Sequence, residues 1–233
     1  MTSTIDPQEV EKFSKIADEW WSETGKFKPL HKFNPIRINF IRSEIEKYFA
    51  INSELKILDV GCGGGLIAEP FARMGASVTA VDASEKNIAV AKIHAQKSGL
   101  KIDYRVAAAE ELTEQFDVVF ALEIIEHVAD VEAFIASLSK LVKPNGLLFV
   151  ATMNRTLKSL AFAKIAAEYI LRWLPHGTHD WKKFVKPSEL NGLACRYNLE
   201  LKSLTGFNYN LLNDEWKETK NLDVNYAAVL LKK

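Results

Sequence analysis

The sequence is short of the features that would place it in several functional classes. It has two cysteines, Cys62 and Cys195. That is too few for a disulfide framework, and they form no zinc spacing, so a reducing compartment fits. It has no excess charge: 30 basic and 30 acidic residues cancel. No global basic charge therefore argues for a nucleic-acid partner, and none is expected. No run of about 18 uncharged apolar residues occurs, so no membrane span is expected. The start, Met1 to Pro7, lacks a charged-then-apolar signal pattern. Asp6, Glu9 and Glu11 also disfavour an organelle transit peptide. There is no internal repeat, low-complexity segment or interdomain linker. With 233 residues and 48% hydrophobic composition, one α/β domain spanning 1–233 is expected.

What is present centres on Lys56-Ile57-Leu58-Asp59-Val60-Gly61-Cys62-Gly63-Gly64-Gly65-Leu66. Ile57, Leu58 and Val60 read as a buried strand, the glycines as a turn, and 65–75 as a helix. Strand, glycine turn and helix together cradle a nucleotide at a strand's carboxyl end. A dinucleotide fingerprint wants a small residue at the sixth position from Gly61, where Leu66 stands. The pattern is instead Asp-x-Gly-x-Gly-x-Gly. A second apolar strand, 77–81, leads into Asp82, an acid at a distance suited to ribose hydroxyls, roughly 20 residues on.

Strands are expected at 55–60, 77–81, 101–106, 116–122 and 146–152, with helices at 65–75, 84–98 and 130–142. This alternation implies a mainly parallel, doubly wound sheet. Lys143 to Gly146 reads as a turn, and two further strands near 199–209 and 223–231 as an antiparallel pair. Ahead of the core, helices are expected at 7–22 and 35–50, with a two-proline loop between. Together, residues 1–50 form a helical cover or lid. Within an insertion at 153–197, residues 157–174 form a mostly apolar helix and 187–197 another.

The fourth core strand runs into Glu123, Glu126 and His127. Two carboxylates and an imidazole within five residues suit a divalent metal, acid–base chemistry or a purely structural cluster. These three readings stay open on spacing alone.

The glycine run with Asp82 resembles the Rossmann-like class I S-adenosylmethionine-dependent methyltransferases. Along nearly its whole length the chain is similar to the ubiquinone-biosynthesis O-methyltransferases. The residues carrying this include Asn34-Pro35-Ile36-Arg37, Glu123-Ile124-Ile125-Glu126-His127, Gly177-Thr178-His179-Asp180 and Asp223-Val224-Asn225-Tyr226. The resemblance implies a mainly parallel seven-stranded sheet with the antiparallel pair at its end. It implies S-adenosylmethionine bound by Arg37, Asp59, Gly61, Gly63, Asp82 and Leu122, and magnesium (Mg2+) on Glu123, Glu126 and His127. His127, Glu123 and His179 are the candidate catalytic residues, with His31 a further candidate base. One departure concerns adenine: Ala107-Ala108-Ala109 stands where many relatives have an acid, so backbone, Glu110 or packing must read the base.

The family's acceptor is a polyprenylated phenol or catechol. Helix 157–174 either covers that substrate's pocket or lies on inner-membrane lipid, with Lys158, Lys164, Arg172, Lys182 and Lys183 toward anionic headgroups. A cytoplasmic protein is expected, peripheral at the cytoplasmic membrane in the second reading, with a ubiquinone-biosynthesis complex as a further partner. Competing functions are methylation of another phenol, a nicotinamide oxidoreductase and a non-catalytic scaffold.

Overall fold

A computed structural model describes residues 3–161, 181–210 and 213–233. The core alternates as the periodicity requires. Strands β1 (Lys56–Val60), β2 (Ser77–Asp82), β3 (Asp103–Val106), β4 (Phe116–Leu122) and β5 (Val142–Met153) are interleaved with helices α3 (Ala68–Arg73), α4 (Glu85–Lys97) and α5 (Val131–Leu141). Helices α1 (Pro7–Ser14) and α2 (Lys28–Ile45) precede them. Helices α6 (Leu157–Ala161) and α7 (Pro187–Arg196), then strands β6 (Leu199–Asn210), β7 (Glu215–Thr219) and β8 (Asn225–Lys232), follow.

The sheet order is β3-β2-β1-β4-β5-β8-β6-β7. Strands β1 to β5 pair in parallel. Strand β8 then runs antiparallel to β5 and to β6, and β7 antiparallel to β6. The central strands carry almost continuous apolar residues because both faces are covered. One layer packs Ile57, Phe71, Phe120 and Phe149; the other packs Leu58, Val119, Ile135 and Leu148. Strand order reverses between β1 and β4, which opens a crevice at their carboxyl ends.

The eighth strand, β7, is the one the sequence did not announce. It reads Glu-Trp-Lys-Glu-Thr, a polar edge strand without an apolar alternation. The N-terminal cover also differs from expectation. Helix α1 stops at Ser14, and a short 3-10 turn at Ala17–Glu19 follows. Helix α2 starts at Lys28, inside the expected loop, because Pro29 sits in the first turn, where its missing N–H costs nothing. Pro35 lies inside the helix and costs one backbone bond. At Lys143–Gly146 the chain is counted within β5, but it does turn there: Asn145 has φ of 62°, and the β4–β5 register shifts between Phe116 and Val118. The expected apolar helix at 157–174 falls mostly outside the described residues, as do His179 and the Gly177–Asp180 run.

Candidate functional site

A cavity of about 280 Å³ occupies the crevice over β1 and β4. Arg37, Asp59, Gly61, Gly63, Asp82, Leu122, Glu123 and His127 all line it. Glu126 does not, and His31 instead lines a smaller cavity behind the glycine turn.

The glycine turn is shaped by its neighbours. Gly61 and Gly63 have φ of 72° and 53°, backbone that side chains adopt at a cost. A Cβ on Gly61 would stand 2.6 Å from Ile124, and one on Gly63 would stand 2.3 Å from the Trp20 ring. Trp20 stacks on Phe27 at 3.7 Å between centroids and donates its indole N–H to Asn87 at 2.9 Å. Trp21 donates to the Gly64 carbonyl at 2.9 Å. The residues before α2 therefore press directly on the glycine turn.

Asp82 ends β2 with both carboxylate oxygens engaged. One accepts from the Gly63 N–H at 2.9 Å; the other accepts from the Ser84 N–H at 2.8 Å and Asn87 Nδ2 at 3.2 Å. Burial raises its pKa against those donors. Asp59, in β1, is 3% exposed, and its Oδ2 has no hydrogen-bond partner. Burial pushes its pKa up to about 7, with Asp82 adding to the rise and Arg37 opposing it.

Arg37 projects from α2 and is 3% exposed. Its guanidinium donates to Asn34 at 2.5 Å and to Glu123 at 3.3 Å, and lies 5.0 Å from the Phe33 ring centre. Its Nε is buried without a partner. Burial lowers the Arg37 pKa, opposed by Glu123, Asp59 and Glu126.

Beyond the end of β4, Glu123 adopts φ of 55°, a left-handed conformation that costs about 1 kcal/mol for a non-glycine residue. Its side chain is 25% exposed. Burial, reinforced by Glu126, raises its pKa to about 7 against Arg37 and His127. Glu126 is 2% exposed; its Oε2 accepts from Thr152 at 2.8 Å, and its Oε1 is buried without a partner. His127 Nδ1 lies 3.0 Å from Glu9 Oε2, and its ring meets Phe13 edge-on. The expectation of three donors turned toward one metal is not met by this arrangement. Arg37, Thr152 and Glu9 hold the three side chains separately. Among the described residues, no group of three or more His, Cys, Asp or Glu is placed to hold a metal.

Two other candidates have partners of their own. Glu110 accepts from the Thr4 N–H and hydroxyl, both at 2.7 Å, so it serves the N-terminal segment and leaves Ala107–Ala109 to line the cavity. His31 is 2.9 Å from the Trp20 carbonyl and braces the chain ahead of α2. Residues missed in the sequence include Glu9, Trp20, Asn87 and Trp216, all of which line the cavity. Glu9 left a signal, since an acid four residues before Phe13 sits on the apolar face of α1. Trp216 left none, because β7 has no pattern of its own.

Residues 58–150 match the family model described as a methyltransferase domain. The chain is 56% identical over 238 aligned positions to the ubiquinone biosynthesis O-methyltransferase of Pelagibacter ubique, with 99% of each chain covered. It is 52% identical to the protein of that name from Rhizobium etli, covering 97% of this chain and 96% of the relative. Among solved structures it resembles the magnesium protoporphyrin IX methyltransferase of Synechocystis PCC 6803 with bound SAH. That likeness has a TM-score of 0.73 at 18% identity, covering 98% of this chain and 100% of the other.

Proposed function

Because the chain belongs to the ubiquinone biosynthesis O-methyltransferase family, we propose that it methylates a phenolic or catechol hydroxyl of polyprenylated ring intermediates. These are of the 3-demethylubiquinol and 2-polyprenyl-6-hydroxyphenol type, and the methyl donor is S-adenosylmethionine. One observation carries the reading. A single cleft joins the glycine turn and Asp82 on its β1–β2 side to Glu123 and His127 beyond β4. Donor and acceptor chemistry therefore share one opening.

The methyl donor is strongly activated, so the protein chiefly aligns acceptor oxygen, methyl carbon and sulfur. Asp82 takes the ribose hydroxyls. Gly61 and Gly63 let the methionine portion lie against backbone beside Asp59. Arg37 pairs with the methionine carboxylate, a buried cation exchanging one carboxylate partner for another. Leu122 and Ala107–Ala109 supply apolar contact to the nucleoside.

A phenol with a pKa of about 10 must lose its proton to become nucleophilic. Glu123, with its pKa raised to about 7, is matched to accept a proton near neutrality. His127 is the second candidate base, and His179, outside the described residues, the third. The magnesium reading rests on donor type and not on the present grouping: Glu123 and Glu126 offer the oxygens a hard cation takes, and the partnerless Glu126 oxygen is an acceptor such an ion would satisfy, whereas His127 is held apart by Glu9. Magnesium held there would stabilise a catecholate.

The decisive experiment is transfer of labelled methyl to a short-chain prenylated catechol, with magnesium and with chelator. Transfer that stops with chelator and falls in Glu123→Ala and Glu126→Ala supports reaction and metal together. Transfer that persists in chelator keeps the reaction and assigns proton removal to a side chain. Tight S-adenosylhomocysteine binding with no transfer to any phenol would refute the acceptor assignment.

Among the described residues, no helix is long and apolar enough to cross a membrane. We place the reaction at a lipid surface because the acceptor's tail partitions there and segment 157–174 is apolar in sequence. Equal lipid flotation by wild type and by Ile165→Glu with Trp173→Glu would refute that placement.

A further inference from the structure

Helix α1 and the residues leading into it are tied to the rest of the chain at four points. Thr4 binds Glu110, and the Ala129 N–H donates to the Thr4 carbonyl at 2.9 Å. Lys183 donates to Asp6 at 3.0 Å. Phe13 packs edge-on against His127, with ring centres 5.1 Å apart. The fourth point is Glu9. Its carboxylate is divided between two kinds of partner. Oε1 faces Lys12 Nζ at 2.8 Å and Lys183 Nζ at 3.6 Å, while Oε2 faces His127 Nδ1 at 3.0 Å.

Its hydrogen bond to His127, helped by Lys12, holds the Glu9 carboxyl well below the usual carboxylate range. An ionised carboxylate only accepts hydrogen bonds, so His127 must donate through Nδ1–H. The tautomer and orientation of a histidine are set by what its other nitrogen bonds. Removing such a supporting carboxylate typically costs 10- to 100-fold in activity or metal affinity.

We propose that Glu9 is a positioning residue for methyl transfer. Delivered by α1, it fixes His127 as the Nδ1–H tautomer and holds the imidazole at the acceptor side of the cleft. The N-terminal helix therefore completes the site as well as covering it. This rests on the reading of the cleft as a methyltransferase site, but the pairing itself can be tested without turnover.

The test compares wild type with Glu9→Gln and Glu9→Asp. Glu11→Gln serves as control: Glu11 is on the same helix, and its side chain is 67% exposed and paired with Lys15. Long-range proton–nitrogen NMR of the histidine rings, with His127 assigned by His127→Gln, reports the tautomer. S-adenosylhomocysteine affinity and kcat for a prenylated catechol are measured in parallel. In wild type and Glu11→Gln, His127 is expected as the Nδ1–H form. In Glu9→Gln the pattern shifts, kcat falls about 10- to 100-fold and S-adenosylhomocysteine affinity stays within about twofold. Glu9→Asp recovers part of kcat. An unchanged His127 spectrum in Glu9→Gln overturns the pairing. A changed spectrum with wild-type kcat overturns the positioning role. Wild type that shows the pairing but methylates no phenol leaves the pairing standing, refutes the proposed reaction and withdraws the positioning role with it.

Discussion

Replacing Gly63 by alanine tests how the glycine turn is built. The new Cβ would stand 2.3 Å from Trp20 Cζ2 and 2.5 Å from Cη2, well inside contact distance, so the ring must move. The φ of 53° adds about 1–2 kcal/mol of left-handed backbone cost. Displacing Trp20 gives up its hydrogen bond to Asn87, about 0.5–1.5 kcal/mol, and its stack on Phe27, a similar amount. The sum is roughly 2–5 kcal/mol, a fall in Tm of roughly 4–20 °C for a chain of this size. The Gly63 N–H that holds Asp82 moves as well, so S-adenosylhomocysteine affinity should drop with stability. Calorimetry of unfolding and binding gives both values. The double variant Trp20→Ala with Gly63→Ala separates the causes, since it removes the ring contact and keeps the backbone cost. The two substitutions should therefore be less than additive, with Gly63→Ala costing only its backbone share once Trp20 is gone. Strict additivity, or wild-type Tm and affinity in Gly63→Ala, would refute Trp20 as the constraint on this loop.

Other consequences are equally measurable. Asp82→Asn keeps the volume but loses the charge on which ribose recognition would depend. S-adenosylhomocysteine should bind roughly 10- to 100-fold more weakly by titration calorimetry. Asn34→Leu removes the acceptor of the buried Arg37 guanidinium and should cost about 1–3 kcal/mol, read from denaturant unfolding. Asp59 gives a pH signature in the cofactor-free protein. Its folded pKa of about 7 lies above the ordinary aspartate value, so the stability it contributes is fully present at acid pH and is lost as pH rises toward 7. Asp59→Asn lacks that loss. Its Tm relative to wild type should climb between about pH 4 and 7 and level off above; a difference constant across that range would refute the assignment.

Much of the fold was written in the chain's periodicity. The parallel core was legible because its strands are short apolar runs punctuated by Gly61, Asp82, Gly99 and Asn145, each at a sharp change of direction. Strand β7 was not, since Trp216 is its one large apolar residue and its partner β6 supplies the pairing. The start of α2 was missed because Pro29 reads as loop, although proline also suits a helix's first turn. In the site, the residues attached to strand ends were legible, since chain order places them over the sheet. Local sequence cannot show which partner each finds. Glu123 turns to Arg37, 86 residues away, and His127 to Glu9, 118 residues away.

The position of β8 has a consequence for how the chain assembles. Strands β6 and β7 are made first and can close on each other as a hairpin, but neither pairs with β5. Their attachment to the sheet waits for residues 225–232, which must enter between strands already present on either side. Until then one edge of β5, buried in the finished protein at Leu147 to Ala151, is an open strand edge of apolar residues. On a ribosome adding roughly 5–20 residues per second, the hairpin and that edge coexist unpaired for on the order of a second or more. Such an edge invites pairing with a second nascent chain. Slow translation or a late-acting destabilising substitution in β8 would therefore show first as aggregation during synthesis, before any loss of catalytic competence in the molecules that finish folding.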